Sequence, residues 1–82
     1  MGMKKTKHFI EDVLPIRPYL TDEVLAFCVS NFVKSETQND GQIAYWGLVP
    51  SLGRYLKVVI AADGETVITG HIDRNFETRS TK

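Results

Sequence analysis

The stretch "GRYLKVVIAADGETVITGHIDRNF", Gly53 to Phe76, decides how this chain folds. Two runs rich in β-branched and aromatic residues, Arg54 to Ala61 and Thr66 to Ile72, flank the polar turn "ADGE". Such a pair around a glycine-containing turn predicts a β-hairpin. Successive side chains of a strand point to opposite faces. Leu56, Val58 and Ile60 therefore share one face, and Ile68 and Ile72 share a face of the next strand. Tyr55, Lys57, Val59 and Ala61 point the other way, as do Val67, Thr69, His71 and Asp73. The aliphatic sets predict a core face. The opposite face gathers Tyr55, Lys57, Thr69 and His71.

Two more strands precede the hairpin. "QIAYWGLV", Gln42 to Val49, ends at the turn "PSLG", and Val33 to Gln38 ends at the turn "NDG". Short turns join neighbouring antiparallel strands, so a four-stranded meander is the simplest topology. Tyr45 and Trp46 point to opposite faces, and the strand register decides which of them joins the polar set. Ahead of the strands, Met3 to Leu14 predicts a helix with Phe9, Ile10, Val13 and Leu14 on one side. Pro15 ends it, and "PIRPYL" holds Arg17 between two prolines. Thr21 predicts the N-cap of a second helix reaching about Asn31, with Asp22 and Glu23 suited to its positive end. The expected fold is α+β: two N-terminal helices packed on one face of a four-stranded antiparallel meander, with the other face open.

At 82 residues the chain is expected to form one domain, 1–82, with flexible ends at 1–6 and 78–82. No apolar run approaches the roughly 18 residues of a membrane span, and no apolar core follows the basic N-terminus. No membrane partner and a cytoplasmic location are expected. The lone cysteine, Cys28, lies within the second helix's apolar stripe and predicts a core residue. The Cys and His spacing matches no metal motif, so no metal or cofactor is expected. Net charge is zero, but Glu11, Asp12, Asp22, Glu23, Glu36 and Asp40 crowd residues 11–40, while both ends are basic. Nucleic-acid binders usually show a stronger basic excess.

A polar outward face is what any antiparallel sheet carries. The same residues also suit attack on a phosphodiester. Histidine moves protons near neutral pH, cations offset charge on phosphorus, and aromatic rings stack on bases. Lys57 and His71 are the candidates from the face itself, with Arg54, Tyr55 and Trp46 as substrate-binding residues. His8, with Asp12 four residues on, is also read simply as a helix-surface pair.

The order "HF…VL…RPYLTDEV", "YWGLVPSLGRYLKVVI" and "DGETVITGHIDRNF", spanning His8 to Phe76, resembles a small uncharacterised bacterial family similar in layout to the BrnT and RelE/ParE-type toxins of toxin–antitoxin systems. The resemblance implies two helices followed by a curved antiparallel sheet. It implies an endoribonuclease toxin cleaving RNA by metal-independent 2′-hydroxyl attack, with an antitoxin protein as partner. By position it carries over His8, Arg17 and Arg74 as catalytic residues. The rival reading is a non-enzymatic protein-binding module of the same fold, docking a partner or antitoxin, or forming a homodimer. Convergence of His8, Arg17, Lys57, His71 and Arg74 in one patch would favour the enzyme.

Overall fold

The computed structural model describes residues 4–76. The strands, in chain order, are β1 (Lys4–Lys5), β2 (Lys34–Thr37), β3 (Ile43–Val49), β4 (Arg54–Ile60) and β5 (Thr66–Ile72). They form one sheet in the order β1-β5-β4-β3-β2. β2 to β5 pair antiparallel, and β1 pairs with β5 in parallel. Among the described residues one regular helix forms, α1 (Asp22–Ser30). The expected two helices on a four-stranded antiparallel meander are thus replaced by one helix and a five-stranded mixed sheet.

The difference arises in the first fourteen residues. Lys4 and Lys5 lie against Thr66 and Val67, and the Thr6 N–H donates to the Val67 carbonyl at 3.1 Å. The outer edge of β5 would otherwise leave backbone groups unpaired there. Residues 1–3 and 78–82, expected to be flexible, lie outside the described residues, whereas Lys4 to Thr6 are held in the sheet. Thr6 then caps a short helical segment: its Oγ1 accepts from the Phe9 N–H at 3.0 Å. The segment widens into a π-helical turn, Phe9–Val13, in which the Leu14 N–H reaches the Phe9 carbonyl. Phe9 and Val13 are buried, while Ile10 is left exposed. The segment is anchored at two points rather than along a continuous stripe.

α1 begins as its sequence predicts. Thr21 Oγ1 accepts from the Val24 N–H at 3.2 Å, and Asp22 in the first turn pairs with Lys5 of β1. The helix lies over β3 at Gly47. A methyl group added at Gly47 would stand 2.8 Å from the Cys28 carbonyl oxygen. Only glycine allows this approach of helix backbone to strand backbone. Beneath it sits the main core: Phe9, Leu20, Leu25, Cys28, Val49, Leu56, Val58, Ile60 and Val67. Full burial of each large aliphatic or aromatic member contributes roughly 1.5–3 kcal/mol. Cys28 Sγ donates to the Leu56 carbonyl at 3.3 Å, and burial pushes its thiol up to about 11. It is a core group, not a nucleophile.

The β4–β5 hairpin departs from simple alternation. Val59 faces Thr69 but Ile60 faces Val67, so Ile68 is an extra residue at a β-bulge. A bulge flips every side chain before it to the other face. Val67 therefore enters the main core with no exposed surface, and Ile68 joins the opposite face. This reverses the assignment of Val67 and Ile68 expected from strict alternation.

The far face of the sheet is not simply open. Residues 74–76 form a helical turn that lays Phe76 against Trp46, making a second cluster of Ala44, Trp46, Val59 and Phe76 with Tyr55 and Ile68 beside it.

Two outcomes follow from this packing. Gly47→Ala should destabilise the protein by roughly 1–3 kcal/mol, read as a lower urea midpoint, because the clash is with backbone and cannot be relieved by a rotamer. An unchanged or raised midpoint would show that α1 does not lie this close. At the hairpin turn, the Asp63 carboxylate accepts from Thr66 Oγ1 at 2.6 Å and from the Glu65 and Thr66 amides. These bonds, that from Thr66 Oγ1 foremost, hold its pKa at about 2, against 3.8 ordinarily. The contribution is present above the unfolded value and is lost as pH falls through that window. A carbon-detected NMR titration should place the Asp63 midpoint near 2, and a midpoint near 3.8 would contradict the turn geometry.

Candidate functional site

The strand registers place four residues in line across the second face. Lys34 on β2 faces Trp46 on β3, Trp46 faces Lys57 on β4, and Lys57 faces His71 on β5. Trp46, rather than Tyr45, is thus the ring that joins the polar set. Tyr45 turns to the α1 side and meets Phe32 edge-on, with centroids 5.1 Å apart.

Trp46 is closely engaged. The Lys34 and Lys57 ammonium groups lie 5.3 and 5.2 Å from its ring centroid, within cation–π range. Phe76 stacks on it at 5.7 Å with planes 17° apart. Its Nε1–H donates to Asp73 Oδ2 at 2.9 Å. Asp73 Oδ1 accepts the Phe76 N–H at 2.9 Å, so this one carboxylate both holds the indole and caps the C-terminal turn. Tyr55 meets Phe76 edge-on at 5.2 Å. With Trp46 only 5% exposed, the ring packs a second small core and offers no free surface to a base. The expected substrate-stacking role of Trp46 is not supported by this geometry.

His71 is half-buried at the end of the row. Burial first, then the Lys57 ammonium, lower its pKa; Asp73 opposes them, and Arg17 adds to the lowering. The imidazole is therefore held neutral at pH 7, with one cation paired across the strand and a second within electrostatic reach. The "PIRPYL" connector delivers that second cation: its Leu20 packs on Gly70, beside His71, and Arg17 stands three residues earlier.

The five proposed catalytic residues do not all converge. Lys57 and Arg17 act on His71. Arg74 follows Asp73 at the start of the helical turn and is exposed. His8 belongs to the other layer, on the π-helical segment whose Phe9 and Val13 enter the main core, and its Nδ1 lies 3.1 Å from Asp12 Oδ2. His8 thus stands next to Phe9 of the main core, whereas His71 lies across from Lys57 on the second face. Arg54 is exposed at the start of β4, opposite Val49. Lys34 was not a sequence candidate. Its place in the row needed the β2–β3 register, which sequence alternation alone does not supply.

A cleft of about 500 Å³ opens elsewhere, between α1 and the β3–β4 turn, lined by Thr21, Val24, Phe27, Val49 and Pro50, with Glu23 its one ionisable group. Ser51 completes its lining. Among the described residues no three His, Cys, Asp or Glu side chains group as a metal site requires, and no helix is long and apolar enough to cross a membrane. No family model, curated protein or solved structure matches this chain, so nothing in those comparisons links it to the BrnT or RelE/ParE-type toxins.

The electrostatics of His71 can be checked directly. Its NMR titration midpoint should lie below 6.5. Lys57→Met should raise that midpoint and Asp73→Asn should lower it. Shifts of the opposite signs would mean that the three groups are not neighbours.

Proposed function

We propose that the β4–β5 face binds a phosphodiester and that the protein is a metal-independent endoribonuclease. The supporting observation is the cross-strand pair of Lys57 and a His71 held neutral, with Arg17 acting on the same imidazole. A neutral imidazole accepts the proton of a ribose 2′-hydroxyl. The O2′–phosphorus bond forms as the phosphorus–O5′ bond breaks, and the leaving oxygen takes a proton from solvent. Lys57 and Arg17 offset the charge gathering on the phosphoryl oxygens. The products are a 2′,3′-cyclic phosphate and a 5′-hydroxyl end. Because the base must be neutral, the rate rises as pH climbs through the lowered His71 pKa and is level at neutral pH.

The test is cleavage of an oligoribonucleotide by purified protein in a chelating buffer, with product ends identified. His71→Ala and Lys57→Met should each reduce the rate by about 10²-fold or more. A 2′-deoxy residue at the scissile position should block it. Intact RNA from folded protein across about pH 5–8, the span over which histidine titrates, would sink the proposal.

The closed Trp46 ring favours a second reading, a non-enzymatic module that docks a partner such as an antitoxin. Under it, RNA stays intact and His71→Ala leaves partner binding and stability little changed.

A further inference from the structure

We infer that two copies of this chain pair through β2, antiparallel about a two-fold axis at Ser35. β2 is the terminal strand of the sheet, and its four residues are all exposed. The Gln38 N–H donates to the Gln42 carbonyl at 2.7 Å, continuing the register that sets Glu36 against Ala44 and Lys34 against Trp46. In an antiparallel ladder, hydrogen-bonded and non-hydrogen-bonded pairs alternate. The backbone groups of Lys34, Glu36 and Gln38 therefore turn inward to β3. Those of Ser35 and Thr37 turn outward, towards any strand that adds to this edge.

Charge then favours a second copy, and the register centred on Ser35 over those centred on Lys34 or Glu36. With the axis at Ser35, the outward N–H and C=O of Ser35 bond those of Ser35 in the second copy. Lys34 falls opposite Glu36 of the second copy, and Glu36 opposite its Lys34. Both pairs are non-hydrogen-bonded ones, where Cα atoms approach to about 4.5 Å and side chains interact most. Moving the axis to Glu36 sets the outward groups of Ser35 against those of Thr37 but opposes glutamate to glutamate. Moving it to Lys34 opposes lysine to lysine and sets Ser35 against Val33, whose N–H already donates to the Trp46 carbonyl at 2.7 Å. Like charges directly opposed are destabilising.

Charged residues on an edge normally keep other strands away. Here the order Lys-Ser-Glu is complementary to its own reversed copy, which is what a two-fold interface requires. Neither Lys34 nor Glu36 has an ion-pair partner among the described residues. Phe32 and Val33, next to the strand, are 45% and 62% exposed, and Phe32, which meets Tyr45, adds apolar surface at this edge on the α1 side of the sheet. The sheet's other edge, β1, has only two residues and no such pattern. Because the axis is normal to the sheet, the Lys34-to-His71 rows of both copies lie on the same side of a continuous ten-stranded sheet. The inference does not depend on the ribonuclease proposal.

Sedimentation of the full chain in low salt, at roughly 1–100 μM as suits a modest interface, tests it. The wild type should form a dimer that weakens as salt is added. Lys34→Glu and Glu36→Lys should each weaken association by about tenfold or more, since each sets two like charges against one another. The double variant Lys34→Glu/Glu36→Lys should restore the dimer. Ser35→Pro removes an outward N–H that the β2–β3 ladder does not use, so it should yield a monomer with wild-type circular dichroism. A monomeric wild type, undiminished dimers in the single variants, or no restoration in the double variant would overturn the inference.

Discussion

The second face of this protein is organised around one hydrogen bond, from the Trp46 indole N–H to the Asp73 carboxylate. A buried indole N–H left without an acceptor would cost roughly 1–3 kcal/mol, so a tryptophan placed on this face needs such a partner. The bond has a second consequence because the other Asp73 oxygen accepts the Phe76 amide. The chain leaving β5 is thereby turned back, and Phe76 is set on the indole ring. A sheet with helices on one side becomes a sheet with a main core on one face and a smaller aromatic core on the other. The polar residues around that aromatic core are brought close to low-dielectric surroundings as a result.

His71 and Lys57 take their character from that setting. On an open, solvated sheet face, a lysine beside a histidine would be largely screened. Here the imidazole is half-buried, and both the burial and the neighbouring cation disfavour its protonation. Acids and bases occur on both sides of the sheet, Lys7 beside Glu11 and Lys5 beside Asp22 on the helical side, and Asp73 near Lys57 on the far side. Glu11, Asp12, Asp22 and Glu23 lie on the helical side, while Lys34 and Lys57 lie over the indole on the far side.

Much of the hairpin was legible from residues. The strand ends around Asp63 and Gly64, the face shared by Leu56, Val58 and Ile60, the Thr21 cap and the buried Cys28 follow from local chemistry: turn residues, period-two alternation and capping. The Asp73 cap appears only with the helical turn after β5, which is not among the elements expected from the sequence. Val67 and Ile68 were misassigned because one inserted residue at the bulge reverses alternation, and no local signal marks it. Met3 to Leu14 reads as one helix because its apolar spacing is helical, whereas the edge of β5 claims Lys4 and Lys5. That competition involves partners more than sixty positions apart, which propensity does not record.

By itself, the sequence determined the strands of the hairpin, the position of α1 and the kinds of group that the second face carries. These depend on side-chain shape and on bonds within a few residues. Only the tertiary structure decided the β-bulge, the strand at the N-terminus and the closure of Trp46 by Phe76. Each is an outcome of satisfying buried polar groups and filling space between distant segments. Those demands arise only once the layers are packed.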